Sequence, residues 1–196
     1  NGGQHVWTYK FQDAFLAKVM KETHIDYEEW QPCMLFINGE PWGLYEIREK
    51  ADEHFVESNY GIDNNTVDLL NAWSALNGSD TGFINLYSSL MTMNPLTDDY
   101  YNKFEQNVDI QNYIDYYIGE IYYQNVDFGG YYWGVNNTKL WREQNGGKWR
   151  FIMYDMDGAM GYFGSSPIDN YINLTRNPSY PNAYSQIFDR TLNNIE

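Results

Sequence analysis

The sequence predicts an α+β fold, and three observations carry that prediction. Apolar residues recur at helical spacing in several separate segments. Two strand-turn-strand patterns stand in different halves of the chain, each closed by an Asn-Gly dipeptide or an Asn-Gly-Gly turn. The long stretch from 79 to 126 is helix-rich, so strands and helices are grouped and do not alternate as a nucleotide-binding parallel sheet requires.

Phe11, Phe15, Leu16, Val19 and Met20 mark a first helix over about 11 to 22, with that stripe facing a core. "CMLFINGEPWGLYEIRE" then offers two runs of strand formers around Asn38-Gly39, a dipeptide that tolerates positive φ in a tight turn. "ADEHFVES" reads as a short helix, and "NYGIDNNTVD" as a polar loop that marks a boundary between two parts near residue 62. Ser79 or Asp80 caps a helix carrying Phe83, Leu86, Tyr87 and Leu90, and Pro95 ends that segment. Asp109 caps a longer helix whose stripe is Ile110, Ile114, Tyr117, Ile118 and Ile121. A loop "NVDFGGYYWGVNN" follows, then strands over 138 to 142 and 148 to 154 joined by Asn145, Gly146 and Gly147, and then "DMDGAMG".

Composition limits the function. Lys plus Arg number 12 against 27 Asp plus Glu, a formal charge of −15, which opposes any surface that tracks nucleic-acid phosphates and favours basic protein partners or divalent cations. Cys33 is the single cysteine, so neither a disulfide framework nor a cysteine metal cluster is available. No stretch approaches the roughly 20 apolar residues of a membrane span. His5, His24 and His54 are too dispersed for a zinc signature, and most of the Trp and Tyr residues are expected in the core.

Asp155 and Asp157 carry the clearest chemistry. If the preceding strand continues, both side chains emerge on one face, and two carboxylates at a strand end suit Mg²⁺ or Mn²⁺. An EF-hand loop from Asp155 fails, because Ala159, Met160 and Ser166 fall where Asp or Asn, Gly and Glu belong. An aspartyl-nucleophile phosphatase of the haloacid dehalogenase kind matches the strand and Asp-x-Asp-Gly, but no lysine follows Lys148. A metal-dependent glycosyltransferase lacks its alternating strands and helices here. The order of elements fits a kinase-type phosphotransferase: long helix, loop with a catalytic Asp and a metal-binding Asn, hairpin, metal-binding Asp. Asp127 and Asn136 or Asn137 fill the loop positions.

Four motifs in the right order then make the chain resemble the CotH kinase family, the atypical kinases associated with bacterial spore coats. "LFINGEPWGLYEIREK" is similar to that family's strand, Asn-Gly turn and Gly-x-Tyr, here Gly43 and Tyr45, followed by Glu49. "YIDYYIGEIYYQNVD" resembles its helix ending in Asn-x-Asp, here Asn125 and Asp127. "NNTKLWR" and "GGKWRFIMYDMDGAMG" resemble its Asn-x-Lys-Leu-Trp strand and its Asp-x-Asp segment.

The resemblance implies a two-lobed kinase-like fold, with residues of about 1–62 as an incomplete N-terminal lobe and about 63–196 as a helix-rich C-terminal lobe. It implies transfer of the ATP γ-phosphoryl group to Ser or Thr of a protein, with Mg²⁺ or Mn²⁺, by a secreted, cell-surface or spore-coat protein. Asp127 would be the catalytic residue, Asn137 (or its neighbour Asn136) a metal ligand, Asp155 the main metal carboxylate with Asp157 beside it, and Glu49 a group that positions a phosphate-contacting lysine. Lys10 and Lys50 are the lysines near the missing motif, and the family's early strands are expected to precede residue 1. The alternative is a non-catalytic surface or adhesion module that keeps this fold to bind protein or carbohydrate.

Overall fold

The computed structural model describes residues 11–131, 134–161 and 168–194, without the side chains of residues 168 and 169. His5 and Lys10 lie outside the described residues. The fold is α+β, as expected. Its helices are α1 (Gln12–Val19), α2 (Glu53–Tyr60), α3 (Thr81–Thr92), α4 (Asp98–Asn107), α5 (Ile110–Tyr122), α6 (Ile168–Arg176) and α7 (Ala183–Leu192). Its strands are β1 (Asp26–Tyr27), β2 (Trp30–Ile37), β3 (Glu40–Arg48), β4 (Val67–Asn71), β5 (Ser74–Asn77), β6 (Lys139–Glu143) and β7 (Arg150–Met153).

Asn38 and Gly39 both take positive φ, 52° and 85°, which lets β2 and β3 close into the expected antiparallel hairpin as a two-stranded sheet of its own. The other strands form a mixed sheet in the order β1-β7-β6-β4-β5, in which β1 and β7 are the parallel pair. β4 and β5 correct the reading of the polar stretch at 59–68 as loop only: Val67 and Asp68 already belong to a buried strand. Asp68 is accommodated there because it receives Nε and Nη2 of Arg142, each at 3.0 Å, from the neighbouring strand.

α5 lies against β7 and is fixed there by Asp109 and Asn112. Asp109 caps the helix by accepting the N–H of Asn112 at 3.1 Å. Asn112, fully buried, imitates a strand: its Oδ1 accepts the N–H of Phe151 at 2.6 Å and its Nδ2 donates to the Phe151 carbonyl at 3.0 Å. The core face of α5 is formed by Tyr113, Tyr116, Tyr117 and Glu120, whereas Ile114 and Ile118 of the expected stripe are exposed. Those isoleucines line an open apolar groove of about 560 Å³ between α5, α4, α6 and α7. The aromatic residues fill the main core, where Tyr117 stacks on Phe188 at 4.4 Å and Tyr116 meets Phe151 at 4.9 Å.

α1 is also rotated from its expected stripe. Phe15 and Val19 are exposed, and the packed face is Asp13, Ala14, Leu16 and Ala17. Leu16, Met20 and Ile25 join the same core as α5, while Ala51, Phe55 and Val56 pack with Val67, Leu69, Trp141 and Ile152. Among the described residues no helix is long and apolar enough to cross a membrane.

Candidate active site

The site forms where the end of α5, the loop after it and the turn after β7 meet beneath the start of α1. Gln124, with φ 57°, stops α5 and turns the chain, and Asn125 hooks its N–H back onto the Glu120 carbonyl at 3.0 Å. Asp127 leaves this turn with its backbone N–H held by Asn125 Oδ1 at 3.1 Å. Its carboxylate is then gripped from the far end of the loop. Asn136 Nδ2 donates to Oδ1 at 3.2 Å and Asn137 Nδ2 to Oδ2 at 3.1 Å. Asn137 is 5% exposed and holds a left-handed φ of 48°, so the loop closes on Asp127 through a conformation that asparagine tolerates better than most residues.

The turn after β7 departs from the strand-end expectation. The strand stops at Met153, Asp155 takes φ 56° and ψ 53°, and Met156–Gly158 make a single 3₁₀ turn, so strand alternation does not set the direction of the two carboxylates. Asp155 nevertheless lies within electrostatic reach of Asp157, Asp13 and Asp127. Burial first, then those three carboxylates, push its carboxyl up from 3.8 to about 7, with Arg48 acting in the opposite sense. Its Oδ1 is buried and has no hydrogen-bond partner. Gly158 lets the turn sit directly on the Asp127 loop: a Cβ there would stand 2.8 Å from Asp127 Cβ and 2.9 Å from Asn125 Oδ1.

Thus Asn136 and Asn137 hold Asp127, and Asp155 lies within electrostatic reach of Asp127 and Asp157. Glu49 is placed elsewhere: it accepts the N–H of Glu29 at 2.9 Å and the side-chain amide of Asn59 at 3.2 Å, tying the end of the hairpin to α2. Lys50 is exposed and paired with Asp52 at 3.2 Å.

Several groups were missed. Asp13 Oδ1 accepts the N–H of Met156 at 2.8 Å and Oδ2 accepts Arg48 Nη2 at 2.6 Å. Gln12 Nε2 adds a bond to the Ala159 carbonyl at 3.0 Å, so the first turn of α1 clamps the Asp-Met-Asp-Gly turn from above. Arg48 is thereby a largely buried cation beside the acidic group. Lys139 is the other: its Nζ donates to the Ala51 carbonyl at 2.9 Å and lies 4.3 Å from the centre of the Tyr154 ring. Burial pushes the Lys139 amine down, with Glu28 and Asp155 among the carboxylates that oppose this. Lys139 stands in a motif quoted from the sequence, but nothing in its spacing marked it as a site residue. Asp13 gave no signal at all.

Among the described residues no three His, Cys, Asp or Glu side chains are gathered closely enough to hold a metal ion by themselves. The donor set still suits Mg²⁺, which binds through one or two carboxylates and completes its shell with water and substrate phosphate oxygens. The buried, unpartnered Oδ1 of Asp155 is the oxygen that such an ion would satisfy, with Asp157 and the Asn137 amide oxygen as the other hard donors.

Residues 8–195 match the family model described as CotH kinase protein. The chain belongs to the CotH kinase family. Comparison with curated proteins gave no match. The match spans nearly the whole of this chain and makes it a kinase-like protein, consistent with the α+β fold and with the order of loop, hairpin and Asp-x-Asp turn described above.

Proposed function

We propose that this chain is an ATP- and metal-dependent protein kinase that phosphorylates Ser or Thr of a secreted, cell-surface or spore-coat protein. The observation that carries the reading is the convergence of Asp127, braced by two asparagine amides, with Asp155, whose buried Oδ1 lacks a partner. A bound Mg²⁺ would neutralise charge on the ATP phosphates. Asp127 accepts the hydroxyl proton as the new oxygen–phosphorus bond forms and the bond to the ADP oxygen breaks. Asn136 and Asn137 keep both carboxylate oxygens aimed, and Arg48 offsets part of the negative charge that Asp13, Asp127, Asp155 and Asp157 place around the phosphates. In this reading residues of about 1–62 belong to an incomplete N-terminal lobe and about 63–196 to a helix-rich C-terminal one.

The formal charge of −15 supports a basic substrate, drawn to the protein by long-range attraction. The test is transfer of label from γ-labelled ATP to the chain itself and to a basic Ser/Thr-rich peptide. Phosphoserine or phosphothreonine that disappears with chelator and in Asp127→Ala, with folding intact by circular dichroism, supports the enzyme. No binding of ATP at millimolar Mg²⁺ overturns it and leaves the non-catalytic binding module.

A further inference from the structure

Beneath the Asp127 loop lies a carboxyl group that the proposed chemistry does not use. Glu120, near the end of α5, is fully buried, and its Oε2 accepts a 2.8 Å hydrogen bond from Asn125 Nδ2. The same Asn125 amide accepts the N–H of Asp127 on Oδ1 at 3.1 Å and reaches Met156 Sδ with Nδ2 at 3.4 Å. One side chain therefore touches the helix, the Asp127 loop and the Asp-Met-Asp-Gly turn. Its orientation matters. With Nδ2 toward Glu120, Oδ1 meets the Asp127 N–H; with the amide reversed, a donor would face a donor. The Asp127 N–H and an acceptor at residue 120 together select the productive orientation.

The other oxygen of Glu120, Oε1, is buried and makes no well-formed hydrogen bond, with the buried Tyr116 hydroxyl the nearest group that could supply one. A buried anion in that state is costly, whereas a neutral acid is far less so. The polar groups around it are Tyr116 on α5, Asn125 and Tyr131 from the loop, Asp13 from α1 and Tyr154 after β7, and none is a cation. Burial, with Asp13 acting in the same direction, pushes the Glu120 carboxyl up to about 8, so the acid is neutral at pH 7.

We propose that Glu120 is a positioning residue for Asp127, acting through the Asn125 amide that it orients. The catalytic part of this role rests on Asp127 receiving the hydroxyl proton; the hydrogen-bonded chain from Glu120 to the Asp127 main chain does not. Glu120→Gln keeps an acceptor for Asn125 and Glu120→Leu removes it.

Two readouts separate the claims. In the isotope-labelled chain, the Asp127 amide resonance shifts in Glu120→Leu and stays near its wild-type position in Glu120→Gln. With Asp155→Asn as background, which removes the neighbouring carboxyl raised to about 7, it also moves with pH near 8 when residue 120 is Glu but not when it is Gln. In MgATP turnover, Glu120→Leu lowers kcat by about ten- to a hundredfold with KM for ATP little changed, and Glu120→Gln restores most of that loss. An Asp127 resonance indifferent to Glu120→Leu overturns the proposal, as does equal impairment of both variants. If Glu120→Leu does not fold, the pH response in the Asp155→Asn background decides alone: a titration near pH 8 that persists when Glu120→Gln is added overturns the proposal. If the wild type shows no turnover, the kinase reading fails while the resonance still reports the coupling.

Discussion

Asp155 is held at a cost to the protein that contains it, and replacing it with asparagine exposes that cost. The carboxyl is raised from 3.8 to about 7 by burial and by Asp157, Asp13 and Asp127. At about 1.4 kcal/mol per pH unit, that separation sets a ceiling of about 4 kcal/mol. Asp155 is only partly buried, and solvent screening reduces the expected penalty to about 1–2 kcal/mol. Its folded-state value lies above the unfolded one, so the penalty is absent below about pH 4, grows as pH rises from 4 to 7, and is complete above 7.

Asp155→Asn removes the charge and keeps a residue that accepts φ 56°. Urea unfolding in chelator, followed by tryptophan fluorescence, should find the variant more stable than wild type by about 1–2 kcal/mol at pH 8. The difference should shrink toward zero at pH 4. Any gain from asparagine at a left-handed position does not change with pH, so the pH dependence isolates the charge. Adding Mg²⁺ at about tenfold over its dissociation constant returns about 1.4 kcal/mol to the wild type and nothing to Asp155→Asn. A variant that is less stable than wild type at pH 8 without divalent ion, or a difference independent of pH, would refute the reasoning.

Two other substitutions test the frame around the site. Gly158→Ala puts a methyl group 2.8 Å from Asp127 Cβ and should cost about 1–3 kcal/mol in urea unfolding, with a larger relative loss of MgATP turnover because the Asp127 loop must move. Asp26 is buried and accepts Trp141 Nε1 at 2.7 Å and Arg150 Nη2 at 2.6 Å. Asp26→Ala should destabilise by about 1–3 kcal/mol, because buried Trp141 Nε1 and one side of Arg150 lose their acceptor while Arg150 keeps Asp109 and the His24 carbonyl, measured by the same unfolding assay.

What was legible in the sequence was whatever local chemistry decides. The Asn38-Gly39 turn, the Asp109 cap and the succession from Asp127 to Asn137 to Asp155 all follow from short motifs with short-range physical causes. The missed features depend on partners distant in the chain. Asp13 sits on the packed face of α1 because Arg48 and the N–H of Met156, 35 and 143 positions away, compensate its burial. Asp68 looks like a loop residue until Arg142, 74 positions away, is placed beside it on the next strand. The isoleucine stripe of α5 misled because the helix has two apolar sides, and the tyrosine side with Glu120 and Asn112 is the one that the sheet covers. The Asp155–Asp157 pair stood out by residue type and by strand geometry, and the left-handed Asp155 replaces that strand geometry.

The division of labour between Asp155 and Asp127 is the central claim, and Mn²⁺ binding followed by electron paramagnetic resonance with and without ATP tests it most directly. The account predicts that Asp155→Ala loses the ATP-dependent uptake of Mn²⁺, while Asp127→Ala retains the ion and the nucleotide yet transfers no phosphoryl group. Equal Mn²⁺ binding by Asp155→Ala and wild type, or full phosphoryl transfer by Asp127→Ala, would contradict it.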